Sequence, residues 1–293
     1  MTGNTLGWVI VAFVLYLLMM IAIGAFYAKG NNNSEDYFLG GRKLNGFVAA
    51  LSAQASDMSG WLLMGLPGAI YLTGVGGDGW IAIGLFIGTT LNWLFIATKL
   101  RRYTIRANNS VTLPTYFENR FHDEKKVLMT VSSITIVVFF LVYCASALSA
   151  GGQLFESVFG IDYHVALTIG ALVVLVYTFL GGFTAVCVTD FIQGMLMLVG
   201  ILAVPLFAYH FLTSGGTTLS AGLEASGADS ANFLNLMKNG DGSNNIIGVI
   251  SGLGWGLGYF GMPHILVRFM AVRDEKEMTK SKATAISWVA LSL

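Results

Sequence analysis

Seven apolar runs, each long enough to cross a bilayer, divide this chain. They fall at about 7–28, 47–73, 80–97, 127–158, 165–181, 183–211 and 245–270. A spanning helix needs about 17–25 mainly apolar residues. Within hydrocarbon, every backbone N–H and C=O must find its partner inside the protein. A chain so divided reads as an all-α polytopic membrane protein. Composition agrees: 55% of the 293 residues are hydrophobic and 11% are charged, against about 25% charged in a soluble domain. The 36 glycines suit close helix packing in lipid. Membrane lipid is therefore the surrounding partner. The formal net charge is zero, so no basic field marks a nucleic-acid partner. Cys144 and Cys187 both lie in apolar runs and read as reduced packing residues, not a disulfide framework.

Basic residues set the expected orientation. The connections after the first, third and seventh runs, with Arg268 at the same end of the seventh run, hold 15 of the 16 Lys and Arg residues, and the opposite side holds only Lys238. Alternation puts those three connections on one face, so they are expected in the cytoplasm with the N-terminus outside. Residues 212–244 are rich in Gly, Ser, Asn and Asp and read as an exposed linker with a short helix. The last apolar stretch, 283–293, has only 11 residues. That is about 16 Å of helix, against a hydrocarbon core of about 30 Å. The chain is therefore expected to stop inside an eighth span, as the N-terminal part of a longer protein.

The second run contains what an apolar segment should not have. Asp57 lies in AALSAQASDMSGWLLMGLPGA, flanked by Ser52, Gln54, Ser56 and Ser59, then by Gly60, Gly65, Pro67 and Gly68. A charge at that depth costs about 2.5–3.5 kcal/mol on insertion scales. It persists when it faces a cavity, pairs with a partner or attracts a cation. The glycines and the proline weaken the helix, so the segment reads as an interrupted span with a polar centre. Such a break frees backbone carbonyls, which suit a hard cation such as sodium. The bland alternative is a cap or an ion pair, and Arg268 is the one basic residue bordering a span core.

The seventh run carries a second anomaly, SGLGWGLGYFGMPHI, with Gly252, Gly254, Gly256, Gly258 and Gly261 followed by Pro263. Two readings stand: a small-residue contact face, or a second unwound helix whose Trp255 and Tyr259 line a solute pocket. Two interrupted spans five apart are the pattern of a transporter built from repeats. Tyr143 reads as packing and Gly84-x-x-x-Gly88 as a helix contact. Asp190, near the start of the sixth span, is a gate, a cap or a solvated residue, with solvation slightly preferred. Arg42, just before the second span, is a gate or a topology-setting charge. No HExxH, CxxC, GxSxG or P-loop pattern is present, so an enzyme is not expected and no cofactor is implied.

Five stretches, ALSAQASDMSGWLLMGLPGA, SVTLPTYFENRF, YCASALSAGGQLFES, TFLGGFTAVCVTD and GWGLGYFGMPHILVRFMA, together resemble the sodium/solute symporter family. The resemblance implies a core of inverted five-helix repeats preceded by one extra N-terminal helix. One transporter domain would cover residues 1–293: the extra helix at 7–28, the first repeat at 47–211 and the start of the second at 245–293. It implies sodium as coupling ion, held by the backbone carbonyls of Ala55 and Met58 with Asp57, Ser59 and Gly60 beside them. Tyr143, Trp255, Tyr259 and Pro263 would form the pocket for a small solute, L-proline. Arg42 and Asp190 would act in coupling or ion release, and further sodium ligands would lie beyond Leu293. Met262 departs from the pattern, which has Gln there. The implied location is the bacterial inner membrane. A transporter of another small solute, or a ligand-sensing membrane module, are the alternatives.

Overall fold

The computed structural model describes residues 3–293. Fourteen α-helices account for most of them, joined by short turns. Helix α1 (Gly3–Ala28) carries no charge, and α2 (Ser34–Leu39) is a short helix capped by the Asn33 side chain. The second span is α3 (Gly46–Gly60), a wide π turn at Trp61–Gly65, and α4 (Leu66–Thr73). Pro67 has no N–H to offer the Leu63 carbonyl, so the regular ladder cannot run through this stretch. The third span is α5 (Val75–Leu91), a second π turn at Asn92–Ile96, and α6 (Ala97–Arg106). A short α7 (Leu113–Phe121), started by a Thr112–Thr115 capping box, leads to α8 (Val127–Phe159).

Helix α9 (Tyr163–Ser214) has 52 residues, about 78 Å at helical rise, more than twice a ~30 Å core. It holds the fifth and sixth expected spans on either side of Gly182, where φ is +59°. Only a residue without a Cβ takes that conformation at no cost, and a Cβ there would also meet the Tyr37 carbonyl oxygen at 3.0 Å. Helices α10 (Leu219–Ala225) and α11 (Ser230–Phe233) lie in the linker. The seventh span is α12 (Ile246–Trp255), a 3-10 stretch at Gly256–Gly261, and α13 (Pro263–Ala271), bent by 46°. Helix α14 (Glu275–Ser292) follows. Residues 7–28, α5–α6, α8 and α9 are each long and apolar enough to cross a membrane, and the bent α12–α13 pair joins them.

The glycine-rich seventh run both packs and unwinds: some of its glycines form a contact face and Gly256–Gly261 is 3-10. A Cβ on Gly84 would meet the Gly252 carbonyl oxygen at 2.2 Å, one on Gly88 the Gly256 carbonyl oxygen at 2.2 Å, and one on Gly256 the Gly84 carbonyl oxygen at 2.3 Å. Helices α5 and α12 therefore touch backbone to backbone. Gly254, Gly258 and Gly261 have nothing within 4 Å of such a Cβ and belong to the other face.

The connections rich in Lys and Arg meet on one face, as alternation requires. Arg101 donates to the carbonyls of Val272 (2.5 Å) and Arg273 (2.8 Å), and Arg102 bonds both oxygens of Glu275. At the other end of α5, Trp80 Nε1 donates to Leu236 O at 2.7 Å, so the linker with Lys238 covers the opposite face. Replacing Gly84 or Gly88 by Val should force α5 and α12 apart and cost about 1–3 kcal/mol or more. Thermal unfolding in detergent should show a lower midpoint for either variant and almost none of that loss for Gly254→Ala.

Candidate ion and solute site

The first break lies at Ser59, with φ +40° and ψ −154°. The sequence reading laid the break to the glycines and the proline of this stretch, yet Gly60 is helical and a serine takes the strained conformation. Such backbone costs about 1–3 kcal/mol and persists only where its surroundings impose it. Met58, immediately before the break, presents a carbonyl that accepts the Trp61 N–H and keeps a second lone pair free. Ala55 and Met58 are both buried, one turn apart on the last turn of α3.

Asp57 is held by the other broken helix. Tyr259, 2% exposed in the 3-10 stretch, donates its hydroxyl to Asp57 Oδ2 at 2.6 Å. The Tyr259 carbonyl in turn accepts from Asn92 Nδ2 at 2.8 Å, on the π turn of the third span. Among the described residues no Lys or Arg pairs with Asp57, so the ion-pair reading of this carboxylate does not hold.

The residues expected around the solute gather at the same level. Tyr143 on α8 donates its hydroxyl to Ser56 O at 3.1 Å and is 37% exposed, so it reaches α3 directly while part of its ring stays uncovered. Its ring stacks on His264 at 5.7 Å, next to Pro263, the first residue of α13. Trp255 is half exposed and stacks on Trp61 at 5.8 Å with 24° between planes. Trp255 and Tyr259, four apart in sequence, do not act on one surface, because the helix tightens to 3-10 between them. One ring covers Trp61 and the other reaches Asp57.

One layer further toward the basic face is a buried ion pair. Arg268 Nη2 lies 2.7 Å from Asp190 Oδ2, and the two residues are 5% and 8% exposed. Arg268 also donates to Ser52 Oγ (2.7 Å) and Ser56 Oγ (2.6 Å). Both serines donate onward to Asp190, at 2.7 and 3.0 Å. Ser52 and Ser56 are four apart, hence on one face of α3. The slight preference for a solvated Asp190 is corrected: α9 turns it inward to a guanidinium one helical turn past His264. The sequence reading weighed Arg268 only as a partner for Asp57, and the structure pairs it with Asp190 instead. The signal was there, since Arg268 alone among the basic residues borders a span core.

Arg42 sits farther out, at the basic face. It is buried and donates to Met270 O (2.8 Å), Ser110 O (2.9 Å), Asn109 Oδ1 (3.0 Å) and Thr104 Oγ1 (3.3 Å), with Glu35 at 3.3 Å. Next to it Leu44 and Val272 form a parallel β-bridge, and Glu277 accepts the Gly46 N–H at 2.7 Å. Lys280 and that same N–H hold the Glu277 carboxyl below the usual carboxylate range. It therefore stays ionised at neutral pH, and the contact weakens only as pH falls through the lowered value. The basic ends of the two broken helices are thus clamped together.

Two membrane helices interrupted at one level, with a carboxylate and aromatic side chains between them, define a broken-helix transporter fold. The model of the sodium:solute symporter family matches residues 37–293, and the chain belongs to that family. A sodium/proline symporter of Haemophilus influenzae is 47% identical over 286 residues, 97% of this chain and 55% of that protein. One from Staphylococcus aureus is 44% identical over 284 residues, 97% of this chain and 54% of that protein. The chain thus spans about half the length of the relatives it matches. A solved structure, the substrate-bound outward-open state of a Na+-coupled sialic acid symporter, superposes with a TM-score of 0.75 at 21% identity. That match covers 94% of this chain and 56% of the other, and it carries the fold.

Removing either partner of the Arg268–Asp190 pair strands a buried charge, at a cost of about 3–5 kcal/mol. Arg268→Met and Asp190→Asn should each lower the unfolding midpoint strongly, and the double variant should lose less than the two singles together. Additive losses in that cycle would show that the pair is not coupled.

Proposed function

We propose that this chain forms the sodium-binding and solute-binding half of a symporter that carries L-proline into the bacterial cell, driven by the sodium gradient. The observation that carries the reading is the Tyr259–Asp57 bond, which ties an aromatic residue of the solute pocket to the carboxylate beside the ion site. Sodium would be bound by the carbonyls of Ala55 and Met58, with Asp57 supplying the negative field and Ser59 and Gly60 shaping the break. Tyr143, Trp255, Tyr259 and Pro263 would surround the solute. A cation beside Asp57 competes with the Tyr259 hydroxyl for the same oxygen, so sodium entry and the placing of Tyr259 against the solute become one event. The linkage is reciprocal: solute should tighten sodium as sodium tightens solute.

In this reading residues 7–28 are an extra helix, 47–211 the first five-helix repeat and 245–293 the start of the second. The basic face is cytoplasmic and the N-terminus lies outside, in the inner membrane. Arg42 and Asp190 belong to the closed cytoplasmic side, and their contacts must part for release. The names of the relatives support proline, and aromatic residues around the site suit a compact, partly apolar solute.

The test is radiolabelled proline uptake by the full-length protein in membrane vesicles, with and without an inward sodium gradient. Uptake should require sodium, and Asp57→Asn should lose about 5–150-fold, the range of a 1–3 kcal/mol coupling. Tyr259→Phe keeps the ring and removes the hydroxyl, so it should weaken the dependence of proline affinity on sodium more than proline affinity itself. Equal uptake in sodium-free buffer would overturn the symport reading, and sodium-dependent uptake of another solute only would overturn proline.

A further inference from the structure

An apolar cavity lies away from the ion and solute site, between α1, α8 and the first half of α9. Its volume is about 470 Å³. Phe13, Leu17, Phe155 and Val173 are among its walls, and Tyr16 and Gln193 close its inner end, where Gln193 Nε2 donates to the Tyr16 hydroxyl. Ile10, Val14, Ile161 and Val174 lie along its exposed rim. On α1 the cavity runs from Ile10 to Met20, about 15 Å at helical rise. That is half of a ~30 Å hydrocarbon core, the depth of one leaflet.

Interiors of proteins are close-packed, and an empty space of this size forfeits the contacts of every wall. Water needs two to four polar partners to settle in a cavity; of the three polar side chains on these walls, Tyr16 and Gln193 already bond one another, and Tyr177 is the third. All three walls belong to membrane spans, so the fluid at the rim is hydrocarbon. Two wall glycines leave room for the occupant: Gly151 and Gly170 have nothing within 4 Å of a built Cβ. We propose that this slot is a lipid site. It takes one acyl chain of a phospholipid from the leaflet on the N-terminal side, with the methyl end of the chain against Tyr16 and Gln193. The chain fills the space between the extra helix and the bundle and joins them.

The experiment is photolabelling of the full-length protein in nanodiscs of phosphatidylethanolamine and phosphatidylglycerol, with a phosphatidylethanolamine that carries a diazirine midway along one acyl chain. Peptide mapping should place the densest adducts on slot residues of α1, α8 and α9. Gly170→Leu and Gly151→Leu, which fill the slot from different walls, should each lose those adducts while labelling elsewhere stays. In a second measurement, adding the same lipid to delipidated protein should raise the unfolding midpoint of the wild type and not of either filled variant. Slot labelling no denser than on the exposed stretch Val204–Phe207, or unchanged by both variants, would overturn the site. Retention of an isoprenoid molecule in place of phospholipid, seen by native mass spectrometry, would overturn the occupant.

Discussion

A helix cannot simply stop in the middle of a membrane, because its freed backbone groups have no water to turn to. Everything near the centre of this structure follows from that constraint. Two helices are interrupted, and they are interrupted at the same level, so each break is served by the other. Tyr259 from the second break reaches Asp57 at the first, while its own carbonyl is held by Asn92. Trp61 covers one side with Trp255, and Tyr143 bonds the Ser56 carbonyl from α8. The polar centre that an ion and a small solute would use is therefore also what makes the breaks tolerable.

Next to this centre the bundle buries two full charges. A buried pair adds little stability over a hydrophobic replacement, but it penalises any arrangement that leaves one member alone. Arg268 and Asp190, with Ser52 and Ser56 between them, join α13, α9 and α3 in one register. The clamp at Arg42, Leu44 and Gly46 repeats the connection at the basic face. Both sets of contacts lie between Asp57 and that face.

The spans were legible because apolar runs and bilayer thickness leave few choices, and the expected gathering of the basic connections on one face agrees with where Arg101 and Arg102 reach the 272–275 turn. Both breaks were legible from Gly and Pro density. Their exact form was not. Ser59 takes the strained backbone while Gly60 beside it is helical, since tertiary contacts and not local preference select the residue that bends. The partner of Asp190 required knowing that α13 and α9 face one another, which no periodicity in the chain states. Whether a given glycine of 252–261 packs or stays open depends on the rotation of α12 against α5, and spacing alone could not separate the two.

The glycine contact and the ion pair divide one span between two neighbours. Helix α12 is fastened to α5 by Gly84, Gly88, Gly252 and Gly256, whereas α13 is fastened to α3 and α9 by Arg268. The 3-10 stretch between them lies beside the π turn at Asn92–Ile96, and the Asn92–Tyr259 bond pins these two irregular turns to one another. Two soft joints at equal height form a crease across the bundle. A rotation of α13 with α3 against α12 with α5 would bend the protein along that crease, and Asp57 with its tyrosine lies on the fold line.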